Sequence, residues 1–304
     1  QKLIEELKHG GVEIKILRSI VDPLVFLCIL IKDNNRGFGA DTNPHLAIRK
    51  AYSEFNERLE YHRQVEKGSA STSNGFAAHL SFELASRSAI NELIERDIFL
   101  SSWVTRHPPY WLSEEEVISL GGKEAMEFIV NFAKFGFKLQ YGILGNNTGI
   151  TVVVGCISIP GDDSFGFAID TSASDSFLVS ARKVYYSNCY LGSIVLNRKK
   201  MMRVVISDLT NVNAIEANFE YYLKGENKPN WFFESSKEIR LFSEFNVQVE
   251  RLRESHAPPL VVVRAITTDC QHYFAGLPTE ETLNVTRIRS SFPDREIFLD
   301  LHPL

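Results

Sequence analysis

The chain has 304 residues, 44% of them hydrophobic and 23% charged. These are the proportions of an ordinary globular protein, with enough length for a sizeable core in one large domain or two small ones. Its net charge of −5 argues against nucleic acid and an anionic membrane surface as partners, so phosphates bound here would need positive charge from elsewhere, such as magnesium. The four cysteines, Cys28, Cys156, Cys189 and Cys270, are far apart and form no C-x-x-C pair, which argues against a zinc site and is simplest in a reducing cytoplasm.

The chain opens on Gln1 inside an amphipathic helical pattern with Leu3, Ile4 and Leu7 on one side, stopped by Gly10-Gly11. No signal-peptide pattern is visible, and we expect Gln1 not to be the natural start. Residues 12–17 alternate as a half-buried strand. The apolar run at 24–31 reads as a strand covered on both faces and is too short to span a bilayer. A turn at Asp33-Asn34-Asn35 leads to a Gly-Phe segment, then to a helix that begins near Thr42-Asn43-Pro44, a capping residue followed by proline in the first turn. Residues 64–71 read as a solvated loop. Ser73-Asn74-Gly75 is the small-residue entrance to a second helical pattern reaching Asp97, and the segment 103–111 ends that unit.

From Lys123 the opening order returns: a helix over 125–135, the segment FKLQYGIL, and an apolar strand over 150–159. A helix–strand–strand–helix module therefore occurs twice, over about 1–62 and 123–190, with a helix unit over 73–106 between them. Further on we expect a strand within 198–207, a helix over 211–223, mixed helix with a solvated charge run over 235–254, and a buried β-branched strand over 260–266. No long low-complexity linker interrupts the chain, so the expectation is one continuous α+β domain over 1–304.

The second repeat is the informative one. Residues 37–58 align with residues 75–96 without a gap, and Gly37, Phe38, Ala40, Ala47, Ala51, Glu54, Glu57 and Arg58 recur at a constant offset of 38. A third copy opens at Gly166, but Lys183 and Tyr186 stand at its two glutamate positions and Ser187 at its arginine position. Alone, an E-x-x-E-R helix face is a solvated face with an intrahelical Glu–Arg pair. Repeated, it poses an electrostatic question. If the helices face one another, Glu54, Glu57, Glu92 and Glu95 converge and each carboxyl pKa rises unless a cation is supplied. Hard oxygen donors in that number suit magnesium, which keeps waters and accepts phosphate oxygens as its other ligands. Arg58 or Arg96 would then orient a carboxylate or reach a phosphate.

These residues also carry a family resemblance. Asn74-Gly75, then Ala77-Ala78, closing on Glu92-Leu93-Ile94-Glu95-Arg96-Asp97, resembles the signature of the YcaO superfamily, and the A-x-x-x-A-x-x-E-x-x-E-R helix from Ala47 to Arg58 is its other half. The C-terminal region is suggested by VVVRAITTDCQHYFAG at 261–276 and by the closing His302-Pro303, so the resemblance covers most of the chain. It implies a YcaO-like α+β fold with the duplicated modules around a shared nucleotide site. It also implies ATP- and magnesium-dependent activation of a peptide backbone amide: a Cys, Ser or Thr side chain attacks the preceding carbonyl, and the oxygen is phosphorylated and leaves, giving a thiazoline or oxazoline. Carried over residue by residue, Glu54, Glu57, Glu92 and Glu95 match the metal–nucleotide positions, and Asn74 matches a nucleotide-contacting asparagine. The implied partners are a precursor peptide and a ThiF-like or other peptide-delivering protein, with a homo-oligomer open. Relatives that make thioamides or amidines keep the nucleotide site and change the nucleophile.

Two departures stand out. The family's third helix usually supplies Glu or Gln where this chain has Lys183 and Tyr186, which opens a non-catalytic scaffold subunit as a further alternative. The C-terminal tail is also short. No competing constellation appears: there is no G-x-x-x-x-G-K-[ST] loop, no H-E-x-x-H and no G-x-S-x-G. His62 and His79 lie near the motifs, with a loop or capping role expected for His79, and no catalytic residue is assigned.

Overall fold

The computed structural model describes residues 2–162, 166–201, 221, 227–256, 259–272, 278–279 and 281–299. In chain order the elements are α1 (Lys2–His9), β1 (Glu13–Arg18), β2 (Phe26–Lys32), β3 (Asn35–Asp41), α2 (Pro44–Glu66), β4 (Phe76–His79), α3 (Phe82–Val104), β5 (Tyr110–Trp111), α4 (Glu114–Ala133), β6 (Lys138–Asn147), β7 (Ile150–Ser158), β8 (Ala168–Ser174), α5 (Phe177–Met201), α6 (Asn230–Phe233), β9 (Gln248–His256), β10 (Pro259–Ile266) and α7 (Val285–Ser291). The α+β expectation holds. By internal packing the chain divides into two compact units, one of residues 1–93 and 246–268, the other of 94–245 and 269–304.

The first unit holds the antiparallel meander β1-β2-β3 and a second sheet ordered β4-β10-β9. Helix α2 starts where the sequence places it: Asn43 caps it, its side chain accepting from the His45 amide, and Pro44 follows in the first turn. The helix lies on β3 at backbone contact distance. A Cβ on Gly39 would fall 2.2 Å from the Ala47 carbonyl oxygen, and one on Gly37 would fall 2.3 Å from that of Ala51. Around this seam Leu7, Val12, Cys28, Leu30, Ala47, Ile48, Ala51 and Phe55 form a core cluster.

The second unit repeats the plan. Its sheet runs β5-β6-β7-β8, all antiparallel, with α5 packed on β7 and β8 and α4 packed on α5 and β6. Phe128 of α4 stacks on Tyr185 of α5 at 4.2 Å between ring centroids. Trp103, Trp111, Phe167 and Phe232 form an aromatic cluster nearby.

Several expectations need correction. Gly37-Phe38 lies within β3, while β4 begins one residue after Gly75 and β8 two residues after Gly166. Each module is thus helix–strand–strand–strand–helix, and the second helical pattern begins only at Phe82. Glycine and alanine lower strand propensity in the sequence, yet they let a helix backbone approach. The strand at 13–18 is mostly exposed, because it is the edge of its sheet and only Ile14 joins the core. Helix α2 continues to Glu66, so 64–66 are helical, and buried Gln64 bonds Glu60 and Ser69. Helix α4 starts at Glu114 behind a Ser113/Glu116 capping box and is broken at Gly122. The charge run at 248–254 lies on the edge strand β9 rather than on a helix. The buried strand at 260–266 is confirmed as β10, the centre of its sheet. Met201 still belongs to α5. The rest of the expected strand, the helix at 211–223 apart from helical Tyr221, and His302-Pro303 lie outside the described residues.

The seam between α2 and β3 generates a direct test. Gly39→Ala is expected to destabilise the protein by about 1–3 kcal/mol through overpacking, read from the shift of the denaturant midpoint. An unchanged midpoint would show that the helix backbone does not rest on this strand.

Candidate nucleotide and magnesium site

The first copy presents Glu54, Glu57 and Arg58 on α2, all half-buried. Glu54 is held at two points: its Oε2 accepts from the Phe38 amide of β3 at 3.1 Å, and its Oε1 lies 3.8 Å from Arg58. The intrahelical Glu–Arg pair therefore forms, but loosely and partly in solvent, where such a pair is worth a few tenths of a kcal/mol.

Asn74 is fixed by its loop. Its amide donates to Thr72 Oγ1, and the next residue, Gly75, has φ +73° and accepts from the Ala265 amide at 2.8 Å, which ties the loop to β10. Arg264 closes the other side, donating to the Ser69 carbonyl at 2.6 Å. Asn74 is 6% exposed, and its side-chain Nδ2 has no hydrogen-bond partner. A buried amide donor left unpaired costs about 1–3 kcal/mol, a cost that a bound acceptor such as a phosphate oxygen would remove.

The second copy carries Glu92 and Glu95 one turn apart on α3. Glu92 is half-buried, while Glu95 is 2% exposed. Glu95 Oε1 accepts from Thr171 at 2.9 Å and lies 3.6 Å from Arg96, and its Oε2 lies 3.6 Å from Lys183 of α5. Asp170, in the third strand copy, belongs to the same cluster. Burial and the Glu95 carboxylate push its pKa up to about 6, against the pull of Lys183, Ser187 and Arg96. Asp170 and Thr171 carry no role in the sequence reading. The available signal was the G-F-x-x-D shared by the first and third copies, which aligns Asp170 with Asp41.

Asp97, the last residue of the signature, also turns out to have a definite task. It is fully buried, and Arg287 of α7 grips it with Nε at 3.0 Å and Nη2 at 2.6 Å while the Gln271 amide donates at 2.7 Å. Gln271 in turn accepts from the Asn284 amide. Gln271 and helix α7 are thus anchored on the helix that carries Glu95. Downstream, Arg295 donates to the Arg106 carbonyl and His107 packs against Phe292 at 5.1 Å. Of the loop or capping role expected for His79, the structure shows a loop contact, its Nδ1 accepting from the Leu80 amide at the end of β4, while Ser81 caps α3 by accepting from the Leu84 amide.

Among the described residues no three His, Cys, Asp or Glu side chains gather closely enough to grip a metal unaided. Magnesium does not need that: it takes one or two carboxylates and fills its octahedron with water and phosphate oxygens. Half-buried carboxylates and an orphaned buried amide donor fit such a group.

The arrangement is an α+β fold built from strand–helix repeats. The family model described as YcaO cyclodehydratase, ATP- and Mg2+-binding, matches residues 58–272, and the chain belongs to that family, whose cofactors are ATP and Mg2+. The solved structure of YcaO from Methanopyrus kandleri bound with AMPPCP and Mg2+ is 15% identical, with a TM-score of 0.62 over 92% of this chain and 94% of that one. The Escherichia coli microcin synthetase McbBCD complex with pro-MccB17 bound is 12% identical, with a TM-score of 0.61 over 84% and 88% of the two chains. A heterocyclase in complex with substrate and cofactor is 11% identical, with a TM-score of 0.64 over 90% of this chain and 52% of that one. At these identities the structures establish a shared fold. Comparison with curated protein sequences gives no match.

Two stability predictions follow from the anchor. Asp97→Ala leaves the Arg287 guanidinium buried and unpaired, so a loss of about 3–5 kcal/mol is expected in urea unfolding; a loss below about 1 kcal/mol would mean that the pair does not hold the segment. Burial, with Arg295 and Arg240 nearby, lowers the His107 pKa to about 4. Its folded value lies below the unfolded one, so its contribution is complete above about pH 6.5 and is lost as pH falls towards 4. Replacing His107 by Leu should remove an acid-side loss on the order of 2 kcal/mol, seen as a flatter stability profile between pH 6.5 and 4.

Proposed function

We propose that this protein activates a peptide backbone amide in an ATP- and Mg2+-dependent reaction, and that the product is an azoline formed from a Cys, Ser or Thr side chain of a ribosomally made peptide. The observation that carries the reading is the twice-kept E-x-x-E-R helix in a YcaO chain, accompanied by a buried Asn74 donor without a partner. Glu54, Glu57, Glu92 and Glu95 are the metal–phosphate residues in this reading. Arg58 and Arg96 orient carboxylates or meet phosphate, and Asn74 donates to the nucleotide. Bound Mg·ATP supplies the phosphoryl group that turns the amide oxygen into a leaving group.

The chain's own contribution is positioning and charge. Glu54 is pre-set by the Phe38 amide and Glu95 by Thr171, so neither has to reorganise when a cation arrives. The peptide reaches the site through a partner, a ThiF-like protein being the expected kind, in a cytoplasmic complex. That microcin synthetase is a multi-protein complex solved with its pro-peptide supports this assembly. Among the described residues no helix is long and apolar enough to cross a membrane. A thioamide- or amidine-forming enzyme would use the same site with another nucleophile. A scaffold subunit is the second reading, favoured by the lysine and tyrosine at the third copy's glutamate positions.

Calorimetry on the purified protein tests the site. Glu54→Gln, Glu92→Gln and Asn74→Ala should each weaken Mg·ATP binding by about tenfold or more, as expected for charge-assisted or buried contacts worth 1.5–3 kcal/mol. If both glutamine variants bind Mg·ATP like the parent, the metal assignment is wrong. Binding without turnover, with peptide and partners present, would establish the scaffold reading instead.

A further inference from the structure

Aligned from Gly37, Gly75 and Gly166, the three repeats place Glu54, Glu92 and Lys183 at one helical position, and Glu57, Glu95 and Tyr186 one turn later. The charge reversal at the first of these positions has a structural counterpart. Lys183 keeps 64% of its side chain exposed, yet its Nζ lies 3.6 Å from Oε2 of Glu95, whose side chain is only 3% exposed. The other oxygen of Glu95 faces Arg96 at 3.6 Å and the Thr171 hydroxyl at 2.9 Å. Asp170 adds a second carboxylate close enough to feel Glu95, Lys183 and Arg96. Two carboxylates thus meet two cations, all four supplied by the chain.

A carboxylate as buried as Glu95 needs a counter-charge, since an uncompensated buried ion costs several kcal/mol. With glutamate in all three repeats Arg96 alone would face Glu95, Asp170 and a third carboxylate, and the further positive charge would have to come from metal. We infer that the Lys183 ammonium is a built-in cation standing beside Glu95 where a divalent ion would otherwise be required, so that the nucleotide is bound with fewer magnesium ions than three glutamate-bearing repeats would demand. The inference rests on the reading of the repeated glutamates as the magnesium–nucleotide site. The helix that departs from the repeat then retains a role, and the substitution is a charge exchange rather than a loss.

Counting ions tests it without any turnover assay. Mn2+ bound per chain is measured by electron paramagnetic resonance at saturating non-hydrolysable ATP analogue, for the parent, Lys183→Glu, Lys183→Gln and Lys183→Arg, with thermal unfolding as the check on folding. Lys183→Glu is expected to bind about one Mn2+ more than the parent, since a carboxylate pair recruits the ion that the ammonium replaced. Lys183→Gln, which adds no like charge and is the variant to rely on if Lys183→Glu does not fold, should make the slope of log Kd for the nucleotide against log free Mg2+ more negative by about one. Lys183→Arg should keep the parental count and slope. A folded Lys183→Glu protein with the parental count, or a Lys183→Gln protein with the parental slope, overturns the inference while leaving the nucleotide site intact. A parent that takes up no Mn2+ with the nucleotide overturns the site itself.

Discussion

The local structure of the first module depends on one close contact, the backbone of α2 laid against β3. No side chain separates them at Gly37 and Gly39, where an added Cβ would fall within 2.3 Å of helix carbonyl oxygens. Such an approach fixes the rotation of the helix, because only its small face, Ala47 and Ala51, can turn inward. Once that face is set, helical geometry places Glu54 near the edge of β3, where its carboxylate meets the Phe38 amide. In the second module Gly155 makes room instead for a helix side chain, an added Cβ there falling 2.1 Å from Cγ1 of Val184 of α5. The positions of the charged groups are thus consequences of where side chains are missing.

Buried charge is the second organising theme. Asp97 and Arg287 satisfy one another almost completely, and Gln271 and Ser243 take up most of what remains. A pair of this kind adds little net stability over an apolar substitute, but it penalises any arrangement in which the two groups are apart. It therefore specifies where α7 and the preceding segment lie on α3. Glu95 is treated similarly, with Thr171, Arg96 and Lys183 converging on it.

Much of this was legible because the repeat is visible in the letters. The constant offset of 38 picked out Gly37, Ala47, Ala51, Glu54, Glu57 and Arg58 together, and the structure shows that the small residues and Glu54 serve the same strand–helix seam. Asn43-Pro44 announced the start of α2 correctly, since capping and proline geometry are local. What failed was non-local. Ser73-Asn74-Gly75 is the entrance expected, but Phe76–His79 after it is a strand rather than the start of the helix, because glycine and alanine lower strand propensity and their tolerance here comes from a helix packed above them. The charge run on β9 was expected on a helix, because an edge strand can expose the same mixture of charges. Asp97 was quoted within a signature but given no task, since its partner Arg287 is 190 positions away and no spacing rule connects them.

The chemistry left to the chain follows from the state of its ionisable groups. Burial pushes Cys28 up to about 11 and both Cys156 and Cys270 to about 12, so none of these thiols is a thiolate at neutral pH. Burial also lowers His79, which keeps it neutral and suited to accepting the Leu80 amide. The groups held ready at the repeated motifs are carboxylates, a buried amide donor and fixed cations. In the reading proposed above, such groups bind and orient phosphate and metal, and they stabilise charge that develops on another molecule. A nucleophile is the one component that this set does not provide. An amide-activating reaction in which the peptide brings its own nucleophile asks the protein for only what these residues supply.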